Sequence, residues 1–306
     1  MSYLVAIVGP TAAGKSQLAL RLAQEFEGEI VSADSRQVYR HMNIGTAQPS
    51  QQELSRVPHH LIDIINPDED FSLAQYQKLA YRAINDIQHR HKLSLLVGGS
   101  GLYVWTILEG WEIPKVVPDL EYRHQLEERA AKDETGELYQ ELAEIDPAAA
   151  QKIDPRNVRR LIRALEVSRY SKTPFSQLQH KEAPSFNSLI IGLTAERTEL
   201  YKLINSRIDK MIEQGLVEEV KRLVDCGFSM ELPAMSGIGY KQINGFLKGE
   251  LTLESAISQI KTESHRLVRR QYNWFRLTDD RIKWFDIKTD FEPQVLKLVT
   301  ESLAEC

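Results

Sequence analysis

The sequence predicts an α/β fold, a parallel sheet with flanking helices, interrupted by an all-helical insertion. Three observations carry this. Short apolar runs alternate with amphipathic helical patterns, the rhythm of parallel strands joined by helices. A glycine-rich GPTAAGKS segment joins the first apolar run to the first helical pattern. Strand signals then vanish between Pro114 and about Pro155, where the composition turns charged and helical.

Each element has a local reason. Tyr3 to Val8 is a continuous apolar run, as a strand buried on both faces requires. Leu18, Leu22 and Phe26 then recur on one helical face, with Ala19 and Ala23 beside them. Glu29 to Ala33 is the second strand. Ser72 is placed to cap a helix, and Gln75, three residues on, is its capping-box partner. That helix turns Tyr76, Leu79, Ala83, Ile84 and Ile87 inward. Leu93 to Val97 is the third strand, ended by Gly98 and Gly99; Leu189 to Leu193 and Ile282 to Phe285 complete a set of five. From Thr194 to Leu277 the pattern is helical, broken at Gly215, Gly227 and the SGIGY turn. Pro114 and Pro118 mark a linker. Residues 115–155 read as a helical insertion, and 1–114 with 156–306 as the α/β core and its helical C-terminal part.

Composition narrows the function classes. The net charge is −5, so any nucleic-acid contact must come from a local basic face. No apolar run approaches the roughly 18 residues of a membrane span. The apolar N-terminal stretch is short, lacks a basic start and runs straight into the glycine loop, unlike a signal peptide. Cys226 and Cys306 show no metal-ligand spacing, which argues against a structural zinc and for a reducing, cytoplasmic setting.

Gly9-Pro10-Thr11-Ala12-Ala13-Gly14-Lys15-Ser16 fits GxxxxGK[ST] between a strand and a helix, so the fold is expected to be P-loop NTPase-like. Backbone N–H groups and the helix N-terminus would face an anion, Lys15 adds a full charge, and Ser16 offers a hydroxyl to Mg²⁺. The motif specifies polyphosphate, not a nucleoside triphosphate. Ligands bind at the carboxyl ends of parallel strands, which gathers residues 9–16, 34–39 and 98–103 at one site. Asp34 there has three readings: a metal-associated carboxylate, a general base or a helix N-cap. Ser35 and Gln37 add hydrogen-bonding groups, and an amide suits a base edge. Ser100, among Gly98, Gly99 and Gly101, sits either beside a phosphate or in an ordinary turn. His59 and His60 are adjacent, point to different sides and make a poor metal pair; core or loop hydrogen bonding suits them better. Arg156, Arg159 and Arg163 share a helical face, with Arg160 nearby and Val158, Leu161 and Leu165 opposite, a pattern suited to phosphates. A second basic group, Lys261, Arg266, Arg269, Arg270 and Arg276, is interleaved with Tyr272, Trp274 and Phe275. Ile257, Ile260, Leu267 and Trp274 are its expected core side.

Taken in order, GPTAAGKS, SADSRQVYRHMNIGTAQP, HHLID, LVGGSGLY, RNVRRLIRALEV, SGIGYKQ and VRRQYNWFR resemble the tRNA dimethylallyltransferase family in its short bacterial form. The resemblance spans residues 9 to 276. It implies transfer of a dimethylallyl group from its diphosphate, with Mg²⁺, to the exocyclic amine of the adenosine 3′-adjacent to the anticodon in tRNA. It further implies Asp34 as general base, with Lys15, Ser16, Ser100 and Arg207 at the diphosphate. Toward tRNA it implies Asp34, Ser35, Arg36, Gln37, Arg123, Arg159, Arg160, Leu161, Ile162 and Arg163, with the insertion against the anticodon stem-loop. Ser100 stands where many members have threonine, and no C-terminal zinc finger follows. The expectation is a cytoplasmic monomer without zinc or membrane attachment. Two alternatives stay open at this point: a P-loop kinase of a nucleoside or metabolite, and an isopentenyltransferase acting on a free adenine nucleotide.

Overall fold

In the computed structural model, which describes residues 3–305 except 115, 117, 118, 133, 134, 172 and 179, the strands form one parallel sheet. They are β1 (Tyr3–Val8), β2 (Glu29–Ser32), β3 (His59–His60), β4 (Ser94–Val97), β5 (Asn187–Thr194) and β6 (Ile282–Asp286). Their spatial order is β3-β2-β4-β1-β5-β6. Val5 of the central strand pairs in register with Leu95 on one side and Leu189 on the other. Of these strands, β3 is the one the sequence reading missed. It has two residues, too few for a period-2 pattern, and is recruited by Ile30 and Val31 of β2. Pro118 and Cys306, both used in the sequence reading, lie outside the described residues.

Helices connect these strands. They are α1 (Lys15–Glu25), α2 (Gln51–Arg56), α3 (Leu73–His89) and α4 (Gly101–Leu108). The capping box expected at Ser72 and Gln75 forms, and so does a second one at Ser50 and Glu53. Val5, Ile7, Leu95 and Ile191 share a core with Leu18 and Leu22. Leu4, Ala6 and Leu96, alternating with them, are 0% exposed as well, so both sheet faces are covered.

Next in the chain come α5 (Leu120–Ala131), α6 (Thr135–Ile145), α7 (Pro147–Lys152) and α8 (Val158–Tyr170). They form a separate compact unit over Glu109–Ala183. The insertion therefore reaches beyond the expected 115–155. Leu161 and Leu165 of α8 lie in one core with Leu126, Leu138 and Leu142, which binds α8 to the insertion rather than to the sheet. At its neck, Trp111 pairs antiparallel with Lys181, and Glu112 N donates to His180 O at 2.8 Å.

The chain returns through β5 to α9 (Arg197–Glu213), α10 (Leu216–Asp225), α11 (Tyr240–Leu247), α12 (Leu253–Trp274) and α13 (Glu292–Ala304). The expected breaks at Gly215, Gly227 and Gly239 all fall at positive φ, 98°, 91° and 99°. On α12 the core side differs from expectation. Ile260, Val268 and Phe275 are buried, whereas Trp274 is 42% exposed.

Candidate active site

Three strand ends build one cavity of about 420 Å³. The first loop leaves β1 at Gly9, whose φ is 131° and where a Cβ would lie 2.3 Å from the Leu193 carbonyl oxygen. Only glycine lets the chain turn this tightly against β5. The loop closes on itself through Ala13 N donating to Pro10 O at 3.4 Å. Gly14 then caps α1 with no side-chain hydrogen bond, and the first turn carries no acidic residue. Its N–H groups are left for an anion, and the helix dipole favours one.

Thr11, Ala12, Gly14, Lys15 and Ser16 line the cavity; Gly9, Pro10 and Ala13 shape the loop behind them. Lys15 Nζ donates to Pro10 O at 2.7 Å. Its pKa is lowered to about 7, first by burial and then by repulsion from Arg207, with Asp34 opposing. Arg207, on α9, donates through Nη1 to Thr11 Oγ1 at 3.4 Å. Burial lowers its pKa too, against the attraction of Asp34. Two cations crowd a partly desolvated space with one carboxylate nearby, an arrangement that a polyanion would relieve.

Asp34 lines the same cavity at the end of β2. Its Oδ1 accepts from Arg36 N at 2.8 Å, while Oδ2 has no hydrogen-bond partner among the described residues. A turn, not a helix, follows, so the capping reading of Asp34 does not hold. Ser100 joins two of the loops. Its Oγ accepts from Ser35 N at 3.1 Å, tying the end of β4 to the Asp34 loop, while Gly98 and Gly99 line the cavity. Arg36 is similarly engaged, donating to Pro233 O at 2.5 Å, Ala234 O at 3.1 Å and Ser236 Oγ at 3.2 Å. The Gln37 amide is satisfied within the protein, accepting from Ser32 Oγ at 2.9 Å and donating to Ala47 O at 3.2 Å.

Sequence reasoning missed Gln271 of α12, which bridges the two glycine loops. Its Oε1 accepts from Thr11 N at 2.9 Å, and its Nε2 donates to Gly99 O at 3.1 Å. A Cβ on residue 99 would lie 2.2 Å from that Nε2, so glycine there makes room for the bridge. A signal existed: Gln271 is the polar member of the Val268, Gln271, Phe275 buried face. His59 was also overlooked as a cavity residue. Burial lowers its pKa against the hydrogen bond of its Nδ1 to Val57 O at 2.8 Å. His60 reaches Glu29 at 2.8 Å, as structural hydrogen bonding requires.

In the helical unit, the arginines divide. Arg123 meets the fully buried Glu166 with both nitrogens, at 2.7 and 2.9 Å, and Arg163 pairs with the same carboxylate. Burial pushes the Glu166 carboxyl up, but the two arginines outweigh it and hold it below the usual value. Both cations are thus ion-paired within the unit, with side chains 32% and 28% exposed. Arg156 pairs with Asp154 at 2.8 Å. Leu161 and Ile162, 0% and 5% exposed, are core residues and have no surface to offer a partner. Arg159 and Arg160 remain exposed, without an ion pair among the described residues.

The comparisons with known proteins agree with this geometry. Residues 37–278 match the family model described as IPP transferase. The tRNA dimethylallyltransferase of Dehalococcoides mccartyi is 47% identical over 305 residues, covering 100% of this chain and 94% of that protein. The crystal structure of the tRNA isopentenylpyrophosphate transferase of Bacillus halodurans superposes with a TM-score of 0.73 at 41% identity, over 99% of this chain and 96% of that one. A eukaryotic dimethylallyltransferase acting on tRNA superposes with a TM-score of 0.85 at 26% identity, over 100% of this chain and 80% of that one. With a phosphate loop, a facing carboxylate and full-length relatives of one kind, the chain belongs to the IPP transferase family.

Proposed function

We propose that this protein transfers the dimethylallyl group of dimethylallyl diphosphate to the exocyclic amine of the adenosine 3′-adjacent to the anticodon in tRNA. One observation carries the reading: the cavity sets a polyanion cradle, Lys15, Arg207 and the first turn of α1, against the Asp34 carboxylate, which acts on both cations. A kinase needs the cradle to hold a triphosphate. An alkyl transfer needs it to stabilise a leaving diphosphate, and full-length relatives named tRNA dimethylallyltransferases favour that use.

The adenine amine is a weak nucleophile because its lone pair is delocalised into the ring, so the donor must be made electrophilic. The amine nitrogen attacks the allylic carbon, the carbon–oxygen bond breaks, and the diphosphate leaves with the bonding pair. Lys15 and Arg207 stabilise the charge that develops on it. Asp34 takes the proton that the amine loses as the new bond forms. Mg²⁺ fits the donor set: Ser16 is exposed at the cavity, and Mg²⁺ is commonly held by one or two protein groups together with substrate phosphates. No cluster of three or more His, Cys, Asp or Glu among the described residues makes a dedicated metal cage. When bound, the ion supplies charge neutralisation at the diphosphate.

Arg159 and Arg160 on the helical unit and Arg269 and Arg270 on α12 are exposed cations suited to RNA phosphates in an otherwise acidic chain. Contact of the helical unit with the anticodon stem-loop rests on this and on the relatives. A tRNA acceptor supports a cytoplasmic setting; no helix among the described residues is long and apolar enough to cross a membrane.

Asp34→Asn tests the assignment of the base. Transfer should slow by about 100- to 10,000-fold while affinities for tRNA and pyrophosphate stay within a few-fold. Loss of binding in step with rate would make Asp34 a structural or metal-associated residue instead.

A further inference from the structure

A loop that runs into the cavity wall is held by one buried carboxylate far from it in sequence. Glu219 of α10 is 2% exposed. Its Oε2 accepts from Asn43 N at 3.0 Å and Ile44 N at 2.8 Å, and its Oε1 from Gly45 N at 3.0 Å and the Tyr240 hydroxyl at 2.7 Å. Four donors converge on this carboxylate, and three of them are consecutive backbone N–H groups of one loop. The fit is tight: a Cβ at Gly45 would lie 2.6 Å from the Tyr240 ring.

That loop continues directly into the cavity wall at Thr46, Ala47, Gln48 and Pro49. The carbonyls of Thr46 and Ala47 accept from Gln37 Nε2 at 3.4 and 3.2 Å. Gln48 Nε2 donates to Gln37 O at 3.2 Å, Tyr39 O at 3.3 Å and Asp63 Oδ1 at 2.8 Å. Gln37 is three residues from Asp34 and lines the cavity with it. The donor cradle draws on none of these bonds; it is built by residues 9–16, Arg207 and Gln271.

We infer that Glu219 is a positioning residue for the acceptor: it fixes the 43–48 loop, which fixes Gln37 and the shape into which the adenine enters. This rests on the tRNA-acceptor reading above. An anionic carboxylate is needed because four donors must be accepted at once. A glutamine would present an amide N–H to two of them, leaving buried donors opposed.

The test is steady-state transfer with dimethylallyl diphosphate, Mg²⁺ and tRNA, alongside direct binding of pyrophosphate. Wild-type transfer to tRNA is measured first; its absence would count against the acceptor reading and not against Glu219. For Glu219→Gln, the apparent KM for tRNA should rise by about tenfold or more, with pyrophosphate affinity within twofold of wild type. Glu219→Asp, which keeps the charge, should recover part of the loss. An unchanged KM for tRNA, or equal losses in tRNA KM and pyrophosphate affinity, overturns the inference. If Glu219→Gln does not fold, Tyr240→Phe decides: it removes one donor, and should raise the tRNA KM by a smaller factor while sparing pyrophosphate binding. No change in the tRNA KM of Tyr240→Phe then overturns it.

Discussion

Lys15 shows how the ligand-free site stores a demand for negative charge. Its pKa of about 7 lies far below the ordinary 10.5, because burial and Arg207 oppose its charge. The unfolded chain therefore binds more protons than the folded one between these values, so this group makes the ligand-free fold more stable as pH rises through that window. A bound pyrophosphate reverses the preference by favouring the charged amine. Calorimetry at pH 8, in buffers of different ionisation enthalpy, should show about one more proton taken up by wild type than by Lys15→Arg, and little difference at pH 6. Equal uptake at pH 8 would contradict the account of Lys15. Gln271→Leu keeps the volume but strands Thr11 N and Gly99 O, at a cost of about 1–3 kcal/mol for each buried group left unpaired. The expected kinetic result is a KM for the donor raised about tenfold with the tRNA KM unchanged; an unaltered donor KM would deny the bridge any role. At this scale Lys15, Ser16 and Asp34 were legible, because a strand–glycine loop–helix sequence fixes where such side chains go. Gln37 was legible as a cavity residue, but the hydrogen bonds of Ser100, Arg36 and Gln37 within the protein were not. Which partner a hydroxyl, guanidinium or amide finds depends on residues up to 200 positions away, such as Ser236 with Arg36.

Among the elements, α8 and α12 carry the contrast between charge pattern and charge use. The α8 arginines recur at helical spacing, yet Arg163 turns to Glu166, Arg169 lies 4.2 Å over the Tyr122 ring, and Arg159 and Arg160 stay exposed without an ion pair among the described residues. The double variant Arg159→Ala/Arg160→Ala should lower tRNA affinity and reduce the slope of log K against log salt by roughly 1.4 to 1.8, if each arginine meets one phosphate. An unchanged slope would remove both from the interface. Glu166 is legible in sequence as an acid beside the arginines, not as the partner of Arg123. Its spacing from Arg163 is local, but the bidentate bond to Arg123 requires α5 and α8 to be packed together. On α12, Phe275→Ala should destabilise the fold by about 3–5 kcal/mol in denaturant titration, since Phe275 is 0% exposed. A change under 1 kcal/mol would place that side chain outside the core. Helix existence was legible from periodicity and caps at α1 and α3, as at Ser72, whereas α2 and α13 were not read. Which helix joins which core was not, because an apolar stripe does not say what covers it.

For the whole molecule, two compact units have distinct chemistry. The sheet unit contains the entire donor cradle and its carboxylate. The helical unit, Glu109–Ala183, is built on its own apolar core and a neck of paired backbone at Gly110–Glu112 and His180–Glu182. The alternation of strands and helices made the sheet legible, and the loss of strand signals made the insertion legible. The neck was not, because the sequence separation of its two sides hides their pairing. The central claim is that the cradle serves alkyl transfer to tRNA. It is tested most directly by incubating the protein with labelled dimethylallyl diphosphate and Mg²⁺ in the presence of tRNA, AMP or ATP. Label recovered on an adenosine beside the anticodon, with release of diphosphate, is the predicted result. Label confined to AMP, or turnover of ATP without label in either acceptor, would contradict it.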